Sequence, residues 1–159
     1  MRGIYLFILS GLIMLYLLRG TMAINMSESL PKGIYYQSEM LDLDRGDLVL
    51  FRHATADSLG KSRGYIRSGA QLGKRIAAIP GDRISVGERV IVNGVRISGP
   101  AQPYDSMGRP MEWFCYSGVV PQGSLFVLGV TPDSFDSRYY GFVRKTDITH
   151  TLQPLLTWN

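Results

Sequence analysis

This 159-residue sequence predicts a mainly β fold, an antiparallel β domain with one N-terminal transmembrane helix, and three observations carry that prediction. The first is an uncharged apolar run, GIYLFILSGLIMLYLL, over residues 3–18. The second is the loss of helical periodicity after residue 25, where short apolar runs are bounded by Gly, Pro and Asp. The third is Asn93-Gly94 between residues 89–92 and 95–98. Asn-Gly accepts the positive φ values of a type I′ turn, so this segment predicts a hairpin.

The N-terminal run is slightly short of the roughly 17 to 25 residues that cross a bilayer as a helix. With the Arg19 guanidinium snorkelling toward the headgroups, residues 4–24 become long enough. A cleavable signal peptide is the rival reading, since Arg2, the apolar centre and Thr21-Met22-Ala23 follow that plan loosely. The poor small-residue consensus favours a retained anchor over residues 1–24, followed by a folded domain over 25–159. Either reading puts that domain outside the cytoplasm.

Further along, residues 47–51 read as a strand entered through Arg45-Gly46-Asp47. Residues 74–79 read as a second, stopped by Pro80-Gly81-Asp82, and residues 124–130 as a buried third. Residues 54–73 read as an exposed loop with a turn of helix near 65–72. Residues 99–123 hold four prolines, so no regular structure is expected there.

Composition narrows the partners. The net charge of +4 comes from seventeen scattered Lys and Arg, which argues against nucleic acid and leaves a lipid bilayer surface open. Cys115 is the only cysteine, so no intramolecular disulfide and no cysteine-rich metal site can form. His53 and His150 have no ligand-spaced companion. No metal and no cofactor are expected.

Taken singly, Ser29 in a Pro-containing turn, Lys74 on a strand and the Asp136/Arg138 pair are ordinary residues. Their order is informative. SESLPKG (27–33), RGDLVLF (45–51), KRIAAIPGD (74–82) and PDSFDSRYYGFV (132–143) follow one another along the chain. This series resembles the type I signal peptidases, serine endopeptidases with a Ser-Lys dyad on a β-rich fold. Asn25-x-Ser27-x-Ser29-x-Pro31-x-Gly33-x-Tyr35, SFDSRYYG (134–141) and the ending Leu-Thr-Trp158 look more specifically like the TraF-type conjugation peptidases. Ser29 departs from the general Ser-Met-x-Pro pattern, being followed by Leu30 and directly by Pro31.

The resemblance implies roles. Ser29 would be the nucleophile and Lys74 the general base; Ser134 would hold the lysine, and Ser27 would join the Ser29 N–H in an oxyanion hole. Asp136 and Arg138 would form a supporting ion pair. A lysine base must be neutral, which asks its pKa to fall from about 10.4 to roughly 7 or 8. Leu72, Ile76 and Ile79 offer the apolar company that such a fall requires.

The resemblance also implies a membrane-inserted pilin or preprotein substrate with small residues before the scissile bond, in contact with conjugation or secretion machinery at the inner membrane. A broad-specificity housekeeping signal peptidase and a non-catalytic component on the same fold are the alternatives. Hydrolysis and cyclisation of the product stay equally open. His53 and His150 lie outside every matched stretch, which argues against a Ser-His-Asp triad.

Overall fold

The computed structural model describes residues 4, 5, 8–11, 21–39 and 42–158. The elements are β1 (Met22–Asn25), β2 (Lys32–Ser38), β3 (Leu48–Phe51), α1 (Ala54–Ser62), β4 (Leu72–Ala78), β5 (Arg83–Val86) and β6 (Val90–Val92). They continue as β7 (Val95–Ser98), β8 (Tyr116–Val119), β9 (Ser124–Leu128), α2 (Ser137–Tyr140), β10 (Val143–Arg144) and β11 (Ile148–Trp158). A seven-stranded sheet runs β1-β2-β11-β3-β4-β9-β10, and a four-stranded sheet runs β7-β6-β5-β8. Every strand pair is antiparallel.

Alternation of buried and exposed positions explains the layers. Lys74, Ile76 and Ala78 of β4 are buried while Arg75 between them is exposed, the period of two expected for a strand. Val49, Phe51, Ile76, Leu125, Val127 and Val143 form one apolar core on the large sheet. Ile84, Val90 and Val92 of the small sheet meet Ala78, Phe126 and Leu128 of the large one in a second. Leu30, Tyr35, Leu48 and Leu152 form a third, beneath the loop between β1 and β2.

The Pro80-Gly81-Asp82 turn joins the two sheets. Gly81 sits at φ +89°, where a side chain would be strained. The Asp82 carboxylate is buried and accepts from the Ile79 N–H at 2.9 Å and from Asn93 Nδ2 at 2.8 Å. It thereby ties this turn to the β6–β7 hairpin, whose Asn93 and Gly94 take the positive φ values of 50° and 83° that their sequence predicts.

Several boundaries differ from the sequence expectation. The expected span over residues 4–24 falls largely outside the described residues. Within it, residues 4, 5 and 8–11 are helical, but no helix among the described residues is long and apolar enough to cross a membrane. Met22–Asn25 corrects the expected helix end at residue 24, because these residues are extended and pair with residues 33–36 of β2. Apolar composition alone does not distinguish a helix end from an edge strand.

Helix α1 occupies 54–62 rather than the turn expected near 65–72. The His53 ring caps it, accepting the Ala56 N–H at 3.2 Å, with Asp57 in the first turn and Lys61 in the last. Its Gly60 leaves room for the Ile66 side chain, which a Cβ there would crowd at 2.7 Å. Residues 116–119 form β8 inside the proline-rich stretch, and β11 crosses Pro154 only by shifting register between Pro154 and Leu156.

Replacing Asp82 by Ala strands the Ile79 and Asn93 donors. A loss of about 1 to 3 kcal/mol is expected, read from urea midpoints at constant slope. Arg45→Ala removes the half-exposed partner of Asp82, at 3.4 Å, and is expected to cost well under 1 kcal/mol.

Candidate active site

Ser29 sits in the short loop from β1 to β2, and that loop is built by a single amide. Asn25 Nδ2 donates to the carbonyls of Ser27 at 3.0 Å, Leu30 at 2.9 Å and Pro31 at 3.1 Å. Asn25 Oδ1 accepts the Ser27 N–H at 3.2 Å and the Ser27 hydroxyl at 2.7 Å. Beneath the loop, Leu30 is buried in the third core and the Tyr35 hydroxyl donates to the Pro31 carbonyl at 2.6 Å. The Ser29 carbonyl accepts the Val130 N–H at 3.0 Å, joining the loop to the end of β9. The Ser29 N–H donates to no protein acceptor among the described residues.

Lys74 comes from the middle of β4, paired across the ladder with Val49, and only 1 % of it is exposed. Its Nζ donates to Ser29 Oγ at 2.6 Å and to Ser134 Oγ at 2.7 Å. Burial pushes this amine down to about 8; the Asp136 carboxylate opposes the fall, Arg138 adds to it and Asp133 opposes it. An amine so placed is neutral in a substantial fraction of molecules near pH 8. It can then accept the Ser29 proton while still donating to Ser134.

Gly129 makes this contact possible. A Cβ there would overlap the Ser134 hydroxyl and come within 3.3 Å of Lys74 Nζ. No sequence motif marked this glycine, whose role follows only from close approach in space; Asn25 heads the motif quoted above, and the structure adds that its side chain builds the loop.

Asp136 and Arg138 form a buried ion pair, Nη2 to Oδ2 at 2.8 Å and Nε to Oδ1 at 2.8 Å. The remaining Arg138 donors reach the carbonyls of Pro132 at 2.9 Å, Ser134 at 3.2 Å, Pro100 at 3.2 Å and Thr131 at 3.4 Å. Asp136 Oδ2 also accepts the Gly129 N–H at 3.0 Å. One guanidinium therefore gathers the carbonyls of the 131–134 loop, and its carboxylate holds the strand end that faces Ser134. The Asp136 carboxylate doubles as the cap of α2.

Ser29, Lys74, Ser134, Asp136 and Arg138 thus lie in one connected set. Ser27 lies beside it, with its hydroxyl proton directed to Asn25 and away from Ser29. His53 lies apart: its Nε2 meets the Phe142 carbonyl at 3.2 Å, and burial lowers its pKa. Trp113 is exposed, whereas Phe114 and Tyr116 stack and pack edge-on to Phe142. Ser29 and Lys74 open into a cleft of about 390 Å³, bounded by Ile24, Leu30, Leu72, Tyr65 and Phe135. No group of residues able to hold a metal ion occurs among the described residues.

The family model for signal peptidases, peptidase S26, matches residues 2–156. A conjugal transfer protein TraF of Agrobacterium fabrum is 30 % identical over 167 aligned residues, covering 99 % of this chain and 94 % of the relative. A plasmid transfer protein TraF of Escherichia coli is 32 % identical over 152 residues, covering 85 % and 82 %. A crystal structure of a signal peptidase I from Enterococcus faecalis aligns at a TM-score of 0.46 and 25 % identity, over 72 % of this chain and all of that one.

Two stability measurements probe the site independently of any activity. Arg138→Ala leaves the Asp136 charge buried alone and is expected to cost about 3 to 5 kcal/mol in chemical denaturation. Lys74 acts in the opposite sense. Its folded pKa is about 8 against an ordinary 10.5, so the unfolded chain binds more protons between those values. Stability then rises with pH across that window, by about 3 kcal/mol in all, and the penalty is complete below it. Lys74→Met is expected to be more stable than the parent at pH 7, with the gap closing between pH 8 and 10.5. A gap that stays constant with pH would contradict a buried, depressed amine.

Proposed function

The chain belongs to the signal peptidase family, peptidase S26, within the TraF branch, and from that premise we propose that it is a serine endopeptidase in which Ser29 attacks and Lys74 is the base. The observation that carries the reading is the 2.6 Å contact between a fully buried, pKa-depressed amine and the Ser29 hydroxyl. Neutral Lys74 takes the Ser29 proton as Oγ bonds to the substrate carbonyl carbon. The resulting ammonium passes that proton to the leaving amine as the C–N bond breaks, leaving an ester on Ser29. Water or an amine then attacks the ester, with Lys74 again as base. Ser134 keeps the amine directed at Ser29 throughout.

The oxyanion needs donors, and the Ser29 N–H without a protein acceptor supports its role as one. Ser27 joins by turning its hydroxyl from Asn25 toward the cleft. Asp136 and Arg138 act through the loop that carries Ser134 and make no contact with the reacting atoms.

The substrate is a membrane-inserted pilin precursor of a conjugative element, and the catalytic domain works outside the cytoplasm beside conjugation machinery. The names of the TraF relatives support this placement over a housekeeping role. The segment preceding β1 anchors the chain in the bilayer. Ile4, Tyr5, Ile8 and Leu9 are helical and exposed, as a lipid-facing helix requires. Cleavage after Ala23 would divide β1, which supports an anchor that is retained. A nucleophile four residues beyond β1 reaches bonds close to the membrane surface, so the scissile bond lies just outside the substrate's own transmembrane segment.

Coexpression of the pilin gene of the same element with Ser29→Ala or Lys74→Ala is expected to leave the precursor uncut by mass spectrometry. Normal maturation by both variants, in a host whose own peptidase cannot substitute, refutes the assignment. The single-turnover acylation rate of the wild type is expected to rise through about pH 8 and level off above it. The mass of the mature pilin distinguishes its fate, since a product lighter by one water than the linear peptide is cyclic.

A further inference from the structure

Residues 54–73 and 99–123 contain no family motif, yet one buried carboxylate joins them. Asp105 Oδ2 accepts from the Tyr65 hydroxyl at 2.6 Å, from Arg109 Nε at 2.7 Å and from Arg63 Nη1 at 3.4 Å. Asp105 Oδ1 accepts the N–H groups of Met107 and Arg109, both at 2.9 Å. The binding is reciprocal, because Arg63 Nη2 donates to the Pro110 carbonyl at 2.7 Å and Arg109 Nη2 to the Arg63 carbonyl at 2.9 Å. Burial raises the Asp105 pKa, but the Tyr65 and Arg109 bonds outweigh it and hold the group well below the usual carboxylate range. The clasp therefore stays charged at any pH at which the chain would work.

What the clasp holds is a wall of the Ser29–Lys74 cleft. The Tyr65 ring meets the Phe135 ring edge-on at 5.5 Å, and both line the cleft. Phe135 directly follows Ser134, the partner of Lys74, and packs in turn on Tyr139 and Tyr140. Ile66 completes the wall by packing onto Gly60 of α1. Tyr65 is thus fixed at its tip by Asp105, at its face by the Arg109 guanidinium at 5.8 Å, and at its edge by Phe135. It cannot swing aside to admit a larger group without breaking a charge-assisted bond.

We propose that Tyr65, locked by Asp105, is a specificity-determining residue that limits the bulk of the substrate side chain entering the cleft beside Ser29. The proposal rests on the endopeptidase reading above and supplies a physical cause for a preference for small residues. The two segments without motifs are then a device for setting cleft width.

The test is acylation of Ser29 in the full-length protein by nitrophenyl esters of N-acetyl-alanine, -valine and -phenylalanine, followed by mass. The wild type is expected to favour the alanine ester. Tyr65→Ala is expected to lower the alanine-to-phenylalanine rate ratio by about tenfold or more, the scale on which pocket volume discriminates side chains. Tyr65→Phe and Asp105→Asn, which loosen the wall without removing the ring, should give intermediate ratios. A ratio in Tyr65→Ala equal to that of the wild type overturns the proposal. Should that variant not fold, an unchanged ratio in both Tyr65→Phe and Asp105→Asn overturns it equally. A wild-type Ser29 acylated by none of the esters refutes the endopeptidase reading and the proposal with it.

Discussion

An amine that is to act as a base near neutral pH, the role proposed for Lys74, has to be kept from water and still kept in place, and the region around it meets both demands. Exclusion of water comes from the strand itself, since β4 lies between β3 and β9 and turns Lys74 into an apolar core. Placement comes from two hydroxyls, at 2.6 Å and 2.7 Å, which leave the Nζ little freedom to rotate away. A buried lysine without such partners would cost stability and gain no direction. The side-chain-free surface of Gly129 is the reason the Ser134 hydroxyl and the Lys74 amine fit where an ordinary residue would have filled the space.

Responsibility for that geometry is divided between two frames. One is charged and dry: the Arg138 guanidinium collects the carbonyls of Pro132 and of Ser134 itself, and its Asp136 partner holds the Gly129 amide. The other is neutral and lies near the surface, where the Asn25 side chain plays the part of a missing strand partner for Ser27, Leu30 and Pro31. The bond from Val130 N–H to the Ser29 carbonyl links them, as does Lys74 Nζ, which donates to both Ser29 and Ser134. The electrostatic cost of the first frame is offset by its many bonds, whereas the second depends on backbone hydrogen bonding of modest net worth.

Much of the architecture was legible where local chemistry is decisive. The Asn93-Gly94 turn, the Pro80-Gly81-Asp82 stop and the apolar runs of β3, β4 and β9 carry their conformation in their residue types. Strands such as β1, β8 and β11 lack that property. β1 continues an apolar run without punctuation, and β11 contains a proline that only its register shift accommodates. In the site, the order of the motifs along the chain singles out Ser29, Lys74 and Ser134. Gly129 and the Asp105 clasp were opaque for one shared reason. Their significance is a relation to distant chain, such as Tyr65 with Asp105 forty positions away, and no local pattern encodes it.

The place of Asn25 has a mechanical side. β1 is a rim strand held to the sheet along one edge only, by pairings that run from Met22 opposite Tyr36 to Asn25 opposite Gly33. Tension arriving from the N-terminal direction loads those pairings in sequence, like a zip drawn from its open end, and the last tooth is the residue that shapes the serine's turn. Displacing β1 would therefore disturb the Ser29 loop before either sheet began to open.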